Sequence, residues 1–418
     1  MAIDRDEWDG RIRAAVEELT PQLLNTSHDI HGNPELAFRE HRASACLADE
    51  LEAGGFSVER GAGGLTTAFR ASYSGGEPGP TVAILAEYDA LPGIGHACGH
   101  NIIASSALGA GLAISRAGLR FPGTLLVIGT PAEEGGGGKI LLAEAGVFKD
   151  VDLAFMLHPS QTNMVKRGSL ANSRVEIVFH GRAAHAAGAP DMGINALEAV
   201  IQTFVSLNAR RLHMREDARV HGIITDGGRA VNIIPERAAA RFSVRARDRA
   251  YQRKLMEMVR QCAEAGALST GATLDWTETR GYSNMIANIV IADRFAEHLR
   301  ATGRVVDEPR PTQRMGSTDM GDISQILPAV HAYLSIAPRN VPNHTAAFTD
   351  AAGSPDGDKA VIDGSLAMAQ TAADFFADPS LVAQAKAEFA ERLAAGDVAG
   401  YDAWFEAGKA YAPAPRPA

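Results

Sequence analysis

The sequence predicts an α/β protein: a main domain with a mainly parallel central sheet flanked by helices, interrupted by an inserted smaller α+β domain. Three observations lead there. From Phe56 to His158 short apolar runs alternate with helical patterns, as in strands joined by crossover helices. Near Asn172 the pattern changes to apolar/polar alternation broken by two helical stretches, which suits a compact antiparallel unit. With 418 residues, 46% of them hydrophobic, the chain exceeds one typical domain and can bury a large core. The expected division is 1–171 with 282–418 as one discontinuous domain, and 172–281 as the insert.

Taken in order, Glu7 to His28 has helix period, with Ile12, Ala15, Val16, Leu19 and Leu23 on one face despite Pro21. The segment His28-Asp29-Ile30-His31-Gly32-Asn33-Pro34-Glu35 breaks it, and a second helix is expected over Glu40 to Gly54. Thr66 to Ala71, Thr81 to Ala86, Thr124 to Thr130 and Asp152 to Leu157 read as strands, and the Ala-, Leu- and Ile-rich run Ile102 to Ile114 as a helix. In the insert, Ser173 to His180, Arg219 to Thr225 and Arg237 to Arg247 are strand-like, with helices over Ile194 to Ala209 and Tyr251 to Leu268. The main domain resumes with a helix over Ile286 to Leu299, then Pro328 to Ile336 and Asp358 to Phe376. Ser380 to Ala410 reads as an amphipathic helix pair, and the Pro/Ala tail Pro413 to Ala418 as disordered.

Composition excludes several function classes. The formal net charge is -10, from 40 basic and 50 acidic residues. There is no block of like charge and no basic face interleaved with aromatics, which argues against nucleic acid and anionic membranes as partners. Apolar runs such as Thr124 to Ile128 fall well short of the ~20 residues a membrane helix needs. Cys46, Cys98 and Cys262 are odd in number and far apart, and Met1 to Asp9 is acidic where a signal peptide would be basic and then apolar. A soluble cytoplasmic protein without a disulfide framework is expected.

The chemistry gathers after the predicted strands. Cys98-Gly99-His100 sets a thiol and an imidazole two residues apart across a glycine that permits a tight turn. The pair can face one metal ion, or be an inert buried thiol beside a hydrogen-bonded histidine. In Pro131-Ala132-Glu133-Glu134-Gly135-Gly136-Gly137-Gly138-Lys139, adjacent glutamates diverge, so that one can bind a metal while the other acts as general base. A solvated acidic turn is the alternative. A phosphate-binding loop is excluded, because the positions that need Gly and a hydroxyl hold Glu133 and Ile140. His158 closes an apolar strand and His344 lies in a Pro-rich loop; either alone reads more readily as a structural histidine than as a ligand. Cys98, His100, Glu134 and His158 all follow successive predicted strands, where a parallel sheet would collect them.

These motifs resemble the metallopeptidase family of aminoacylases, glutamate-releasing carboxypeptidases, succinyl-diaminopimelate desuccinylases and plant auxin-conjugate hydrolases. The run Glu87-Tyr88-Asp89-Ala90-Leu91-Pro92-Gly93-Ile94-Gly95-His96-Ala97-Cys98-Gly99-His100-Asn101 is most similar to the amidohydrolase branch with aminobenzoyl-glutamate hydrolase and β-alanyl-lysine type dipeptidases. The resemblance spans roughly Leu24 to Phe376. It implies two divalent ions, zinc or in some members manganese, held by Cys98, His100, Glu134, His158 and His344, with Glu133 as base. Most of the wider family has His where this chain has Glu87, so Asp89 is expected to orient a ligand rather than bind an ion.

The resemblance also implies that the insert is a lid and dimerisation domain. Gly181-Arg182-Ala183-Ala184-His185-Ala186-Ala187 matches a lid motif whose histidine, here His185, reaches the neighbouring subunit's active site and stabilises an oxyanion. Asn232 and Arg245 match the pair that holds the substrate carboxylate. Met315-Gly316-Ser317-Thr318-Asp319-Met320-Gly321 resembles a branch motif without an assigned role. The expected activity is hydrolysis of the amide bond of an N-acyl amino acid, dipeptide or aminobenzoyl-glutamate-like substrate by a homodimer. A carbamoyl-amino-acid hydrolase and a non-catalytic regulatory subunit of the same fold are the alternatives.

Overall fold

A computed structural model describes residues 5–310 and 315–409; the Pro/Ala tail lies outside them. In chain order the elements begin with α1 (Arg5–Gly32), α2 (His41–Ala53), β1 (Ser57–Arg60), β2 (Phe69–Ser74), β3 (Gly76–Ala86) and α3 (His100–Arg116). There follow β4 (Phe121–Gly129), α4 (Gly138–Glu144), β5 (Leu153–Ser160), β6 (Ala171–His180), α5 (Ala196–Arg210), β7 (Arg219–Asp226), β8 (Arg237–Ala246), α6 (Arg249–Thr270) and β9 (Thr273–Thr279). The chain continues through α7 (Ile289–Ala301), α8 (Met320–Ser324), β10 (Ala329–Ser335), α9 (Ala346–Ala352), α10 (Pro355–Ala377), α11 (Pro379–Ala395) and α12 (Tyr401–Lys409). Among the described residues no helix is long and apolar enough to cross a membrane.

These elements form two compact units. The first comprises residues 5–168, 285–310 and 319–404. Its six-stranded sheet has the order β1-β2-β4-β3-β5-β10; β4, β3, β5 and β10 run parallel, while β2 and β1 are antiparallel additions at one edge. The central strands are buried on both faces and read as near-continuous apolar runs, such as Val82 to Ala86 and Leu153 to Leu157, as a helix-covered parallel sheet requires. Helix α3 is buried on all sides from His100 to Ile114 and packs against α1 and α10 as well as the sheet. That surrounding explains why its sequence is apolar all round rather than amphipathic. Burial is worth roughly 1.5–3 kcal/mol for each large side chain such as Ile102 or Leu108, so α3 is anchored firmly, and with it the residues at its start.

Several boundaries differ from expectation. Helix α1 continues through His28 to Gly32, and the Asn33 amide still bonds back to the Asp29 carbonyl. The stop comes at Pro34, because the residue before a proline is driven out of the helical region. Strand β3 starts at Gly76, five residues or so before the apolar run, with a register irregularity between Glu77 and Thr81. Strand β1 is almost wholly exposed and so carries no hydrophobic period.

The second unit contains residues 169–284 with 315–318 and 405–409. Its antiparallel sheet has the order β7-β8-β6-β9. Helices α5 and α6 pack on one face around Val175, Ile177, Phe179, Phe242, Leu255 and Val259, and the alternation along β6 follows from having one face covered and one open.

Candidate metal centre and active site

Thirteen or so residues separate the end of β3 from α3, and the loop between them is pinned at both ends. The Ala90 amide bonds to the Glu35 carbonyl, while the Glu35 carboxylate accepts the Arg42 and Ala43 amides at the start of α2. At the far end Gly99 has φ +78°, and an added Cβ there would lie 2.7 Å from Pro159. Only glycine meets both conditions, which is why the Cys-Gly-His spacing recognised in the sequence is obligatory for the turn into α3.

The structure brings Cys98, His100, Glu133, Glu134, His158 and His344 together in the first unit. Three overlapping triplets each have their ligand atoms within 4.8 Å of one another: Cys98/His100/His158, Cys98/Glu134/His344 and His100/Glu133/Glu134. Cys98 is common to the first two, so its sulfur stands between two adjacent donor sets. Its Sγ lies 3.1 Å from His344 Nε2, and that nitrogen lies 3.5 Å from Glu134 Oε1. His344 itself has φ +65° and is fixed by its amide bond to the Ala97 carbonyl. His158 sits inside β5 rather than beyond its end, and Cys98 and His100 are carried past the sheet by the loop; the strands gather the group less directly than their order alone suggests.

His100, Glu134 and His158 are each oriented from behind. Asp89 Oδ1 is 3.1 Å from His100 Nδ1, and Asp89 Oδ2 accepts the Glu134 amide at 2.9 Å. His158 Nδ1 is 2.7 Å from the Pro159 carbonyl. Both imidazoles therefore turn Nε2 to the site, the arrangement in which an outer partner fixes the tautomer of a metal-binding histidine. Buried His100 Nε2, Glu134 Oε1 and Glu87 Oε2 have no hydrogen-bond partner. Polar atoms buried without partners are costly, and a divalent cation would satisfy them, so the residues present fit a metal centre with mixed S, N and O donors.

Burial and charge shift these groups strongly. Burial, then the charges of Glu87, Asp319 and Glu134, push the Glu133 carboxyl well above its ordinary value. Burial raises the Cys98 thiol, while His100 opposes that shift. Burial and the neighbouring His100 charge bring His158 down to about 4. Burial works against a charged His100, but Asp89 outweighs it and holds the imidazolium well above its usual range.

Beside this group lies an ion cluster that sequence reasoning did not find. Lys139, fully buried at the start of α4, pairs with Glu87 and with Asp319, the latter at 2.8 Å. Its amide also bonds to Asp319 Oδ2 at 3.1 Å. Glu87 Oε2 in turn is 3.4 Å from His100 Nε2. The only signal in the sequence was Lys139 after a glycine run, and Asp319 in a motif with no role. His331 and Tyr333 of β10 also pack against His158, the first edge-on and the second tilted, with ring centroids at 5.3 and 5.6 Å.

The remaining site candidates belong to the second unit. His185 is exposed, its Nδ1 accepting the Gly188 amide at 3.0 Å, and the Ala186 amide bonds to the Asn232 carbonyl. Arg245 is half-buried on β8, opposite Asn172, and its Nε has no hydrogen-bond partner; burial and nearby Arg174 lower its pKa.

Fold and donor set together define a metal-dependent hydrolase of amide bonds. Residues 83–361 match the model of Peptidase family M20/M25/M40, and the chain belongs to that family, in its amidohydrolase branch. It is 37% identical over 399 residues to the Xaa-Arg dipeptidase of Mus musculus, covering 92% of each protein. It is 33% identical to one of the subunits of the p-aminobenzoyl-glutamate hydrolase of Escherichia coli (strain K12), over 69% of this chain and 64% of that one. Among solved structures, the Bacillus subtilis YXEP protein, described as a dinuclear metal binding peptidase from the M20 family, superposes with a TM-score of 0.68 at 22% identity, over 85% of this chain and 99% of that one.

Proposed function

We propose that this chain is a dipeptidase of the amidohydrolase branch, carrying two divalent ions, zinc or alternatively manganese, and using Glu133 as its general base. The observation that carries the reading is that Cys98 belongs to two donor triplets at once, His100/His158 on one side and Glu134/His344 on the other, with Glu133 in a third set beside them. When bound, the ions supply an activated water and polarise the scissile carbonyl. Glu133 accepts the proton of the attacking water and returns it to the nitrogen of the leaving amine. Its raised pKa suits the second task, and bound cations, which pull a carboxyl's pKa down, suit the first. Asp89 keeps His100 and Glu134 aimed. Arg245, with a guanidinium suited to two-point binding of a carboxylate, and Asn232 hold the substrate's free carboxylate, and His185 stabilises the oxyanion from a partner subunit.

A peptide with a C-terminal basic residue is the substrate favoured here, because the relative covering 92% of each chain is named an Xaa-Arg dipeptidase. A homodimeric state follows from the role given to His185, which needs a partner subunit, and exposed apolar side chains of the second unit such as Leu212, Ile223 and Val231 are available to such a contact. The three free cysteines favour a reducing, cytoplasmic setting.

The test is a hydrolysis panel of Xaa-Arg and Xaa-Lys dipeptides, N-acyl amino acids, aminobenzoyl-glutamate and ureido acids, run with zinc and with manganese. Xaa-Arg dipeptides should be cleaved fastest, and Glu133→Gln should lower turnover by ~100-fold or more with metal still bound. Preference for an N-acyl or ureido acid would overturn the substrate reading. Full turnover by Glu133→Gln would overturn the base assignment.

A further inference from the structure

The loop that carries Glu133 and Glu134 begins at a strained residue. Ala132 has φ +62°, and among the described residues only Phe38 and His344 share this conformation without being glycine. The left-handed region brings Cβ too close to the backbone carbonyl, so a residue with a side chain stays there only when its surroundings hold it. Ala132 and Phe38 are held by the same atom. Glu40 Oε1 accepts the Ala132 amide at 2.9 Å and the Phe38 amide at 3.0 Å, and Glu40 Oε2 accepts the Thr67 hydroxyl at 2.9 Å.

The contacts around this carboxylate extend to both sides of the site. The Ala132 carbonyl accepts the Gly136 and Gly137 amides, closing the turn that presents Glu133 and Glu134. The Phe38 ring lies over Gly136, where a Cβ would come within 2.2 Å of it. The Thr67 carbonyl accepts the hydroxyl of Tyr88, the residue between Glu87 and Asp89. Asp89 meanwhile holds the Glu134 amide. The glutamate pair is thus clamped by two buried carboxylates, Glu40 before it and Asp89 behind it.

We propose that Glu40 is a positioning residue for the reaction: it holds Ala132 in the left-handed conformation that sets Glu133 and Glu134 over the site. Glu40 itself touches no ligand candidate in the structure and acts through the backbone of Ala132. The inference rests on Glu133 being the base. Burial and the Asp89 charge push the Glu40 carboxyl up to about 7, against the pull of the donors it accepts. The site therefore accommodates a neutral acceptor, and an amide should replace the carboxylate in part: its oxygen can accept both backbone amides while its NH2 donates to the Thr67 hydroxyl.

Glu40→Ala, Glu40→Gln, Ala132→Gly and the double variant Glu40→Ala/Ala132→Gly, all metal-loaded, test this. Misplacing catalytic groups by about 1 Å costs on the order of 100-fold, so kcat of Glu40→Ala should fall by about that factor, with KM within about 3-fold and metal content unchanged. Glu40→Gln should recover to within about 10-fold of wild type. Ala132→Gly should raise kcat of Glu40→Ala by about 10-fold, because glycine adopts φ > 0 without support. Independently of activity, amide exchange across residues 130–137 should accelerate by about 10-fold in Glu40→Ala while residues 81–86 stay protected. Wild-type kcat in Glu40→Ala, no gain from Ala132→Gly, or exchange that rises equally in the core would overturn the proposal. If Glu40→Ala does not fold, Glu40→Asp is read the same way, and failure of both to fold also overturns it, since Glu40 would then serve the fold and not the loop. Glu133→Gln in parallel separates the two readings: full activity there removes the base assignment, whereas an inactive Glu133→Gln beside a fully active Glu40→Ala removes only the role of Glu40.

Discussion

Replacing Lys139 by Met should destabilise the first unit severely and in a pH-dependent way. The ammonium is the shared partner of Glu87 and Asp319, and all three side chains have no solvent exposure. Removing one member of a buried ion pair leaves charge uncompensated at a cost of about 3–5 kcal/mol. Methionine fills similar volume, so little of that loss comes from a cavity. The sign of the pH effect follows from Asp319. Burial already raises its carboxyl to about 6, with Lys139 as the main opposing influence. Without Lys139 the folded-state pKa rises further above the unfolded value of 3.8. A carboxyl raised in the fold favours the folded state when protonated, and that advantage is lost as pH rises through its folded pKa. The gap between wild type and Lys139→Met should be largest at pH 8, narrow as pH falls toward about 6, by up to ~1.4 kcal/mol per pH unit, and level off below that, where Asp319 is protonated in both folded forms. Urea titrations between pH 5 and pH 8, in chelator so that metal binding does not enter, measure it. Neutralising the whole cluster with Glu87→Gln and Asp319→Asn should restore most of the loss. A gap under about 1 kcal/mol at pH 8, or one that widens on acidification, would refute the account of Lys139 as the charge that the cluster depends on.

Two further outcomes follow from the site. Asp89→Asn keeps shape but weakens the carboxylate's hold on His100 Nδ1 and the Glu134 amide; metal affinity, read by competition with a chromophoric chelator, should fall by ~10–100-fold, and unchanged affinity would sever Asp89 from the centre. Inactive His185→Ala and inactive Glu133→Gln subunits, mixed under proven subunit exchange, should regain about a quarter to a half of wild-type turnover if His185 acts across a dimer; no regain would return His185 to its own subunit's site or to the surface.

Local patterns carried much of the architecture and brought out the candidate ligands that the fold gathers. The strands β3, β4 and β5 are apolar because they are buried on both faces, and α3 is apolar because it lies between the sheet and two helices; both leave runs that a sequence shows directly. Cys98, His100, Glu133 and Glu134 were legible because turn chemistry fixes their spacing within a few residues. Lys139 was not. A lysine after four glycines reads as exposed, and its burial depends on pairing with Glu87 and with Asp319, 52 and 180 positions away. Glu40 was hidden for the same reason: at the start of a helix it looks like a solvated or capping acid, while its partner Ala132 lies 92 positions on. Contacts formed by long-range closure leave no period and no local motif. The exposed strand β1 was missed for the opposite reason, since a strand at the sheet edge with solvated side chains has no apolar alternation to show.

The charge balance of the site gives metal removal a specific signature. Glu87, Asp89, Glu133, Glu134 and Asp319 crowd one buried region whose fixed cation is Lys139, with His100 charged through Asp89. Burial and this crowding hold Glu133 well above its ordinary pKa, and Asp319 at about 6, so the metal-free protein is strained most when these two groups must ionise. Stability of the metal-free form should therefore fall as pH rises from 5.5 to 8, because a carboxyl with a raised folded-state pKa loses its contribution in that direction. Divalent ions reverse the balance. They bind better as pH rises, since protons no longer compete for the thiol, imidazole and carboxylate ligands, and they stabilise in proportion to that binding. The difference in Tm between the metal-loaded protein and a chelator-treated sample should consequently widen with pH. A difference that stays constant, or shrinks toward pH 8, would mean that the carboxylates around Glu133 are balanced without the ions, and the two-ion reading of the Cys98 donor sets would fail with it.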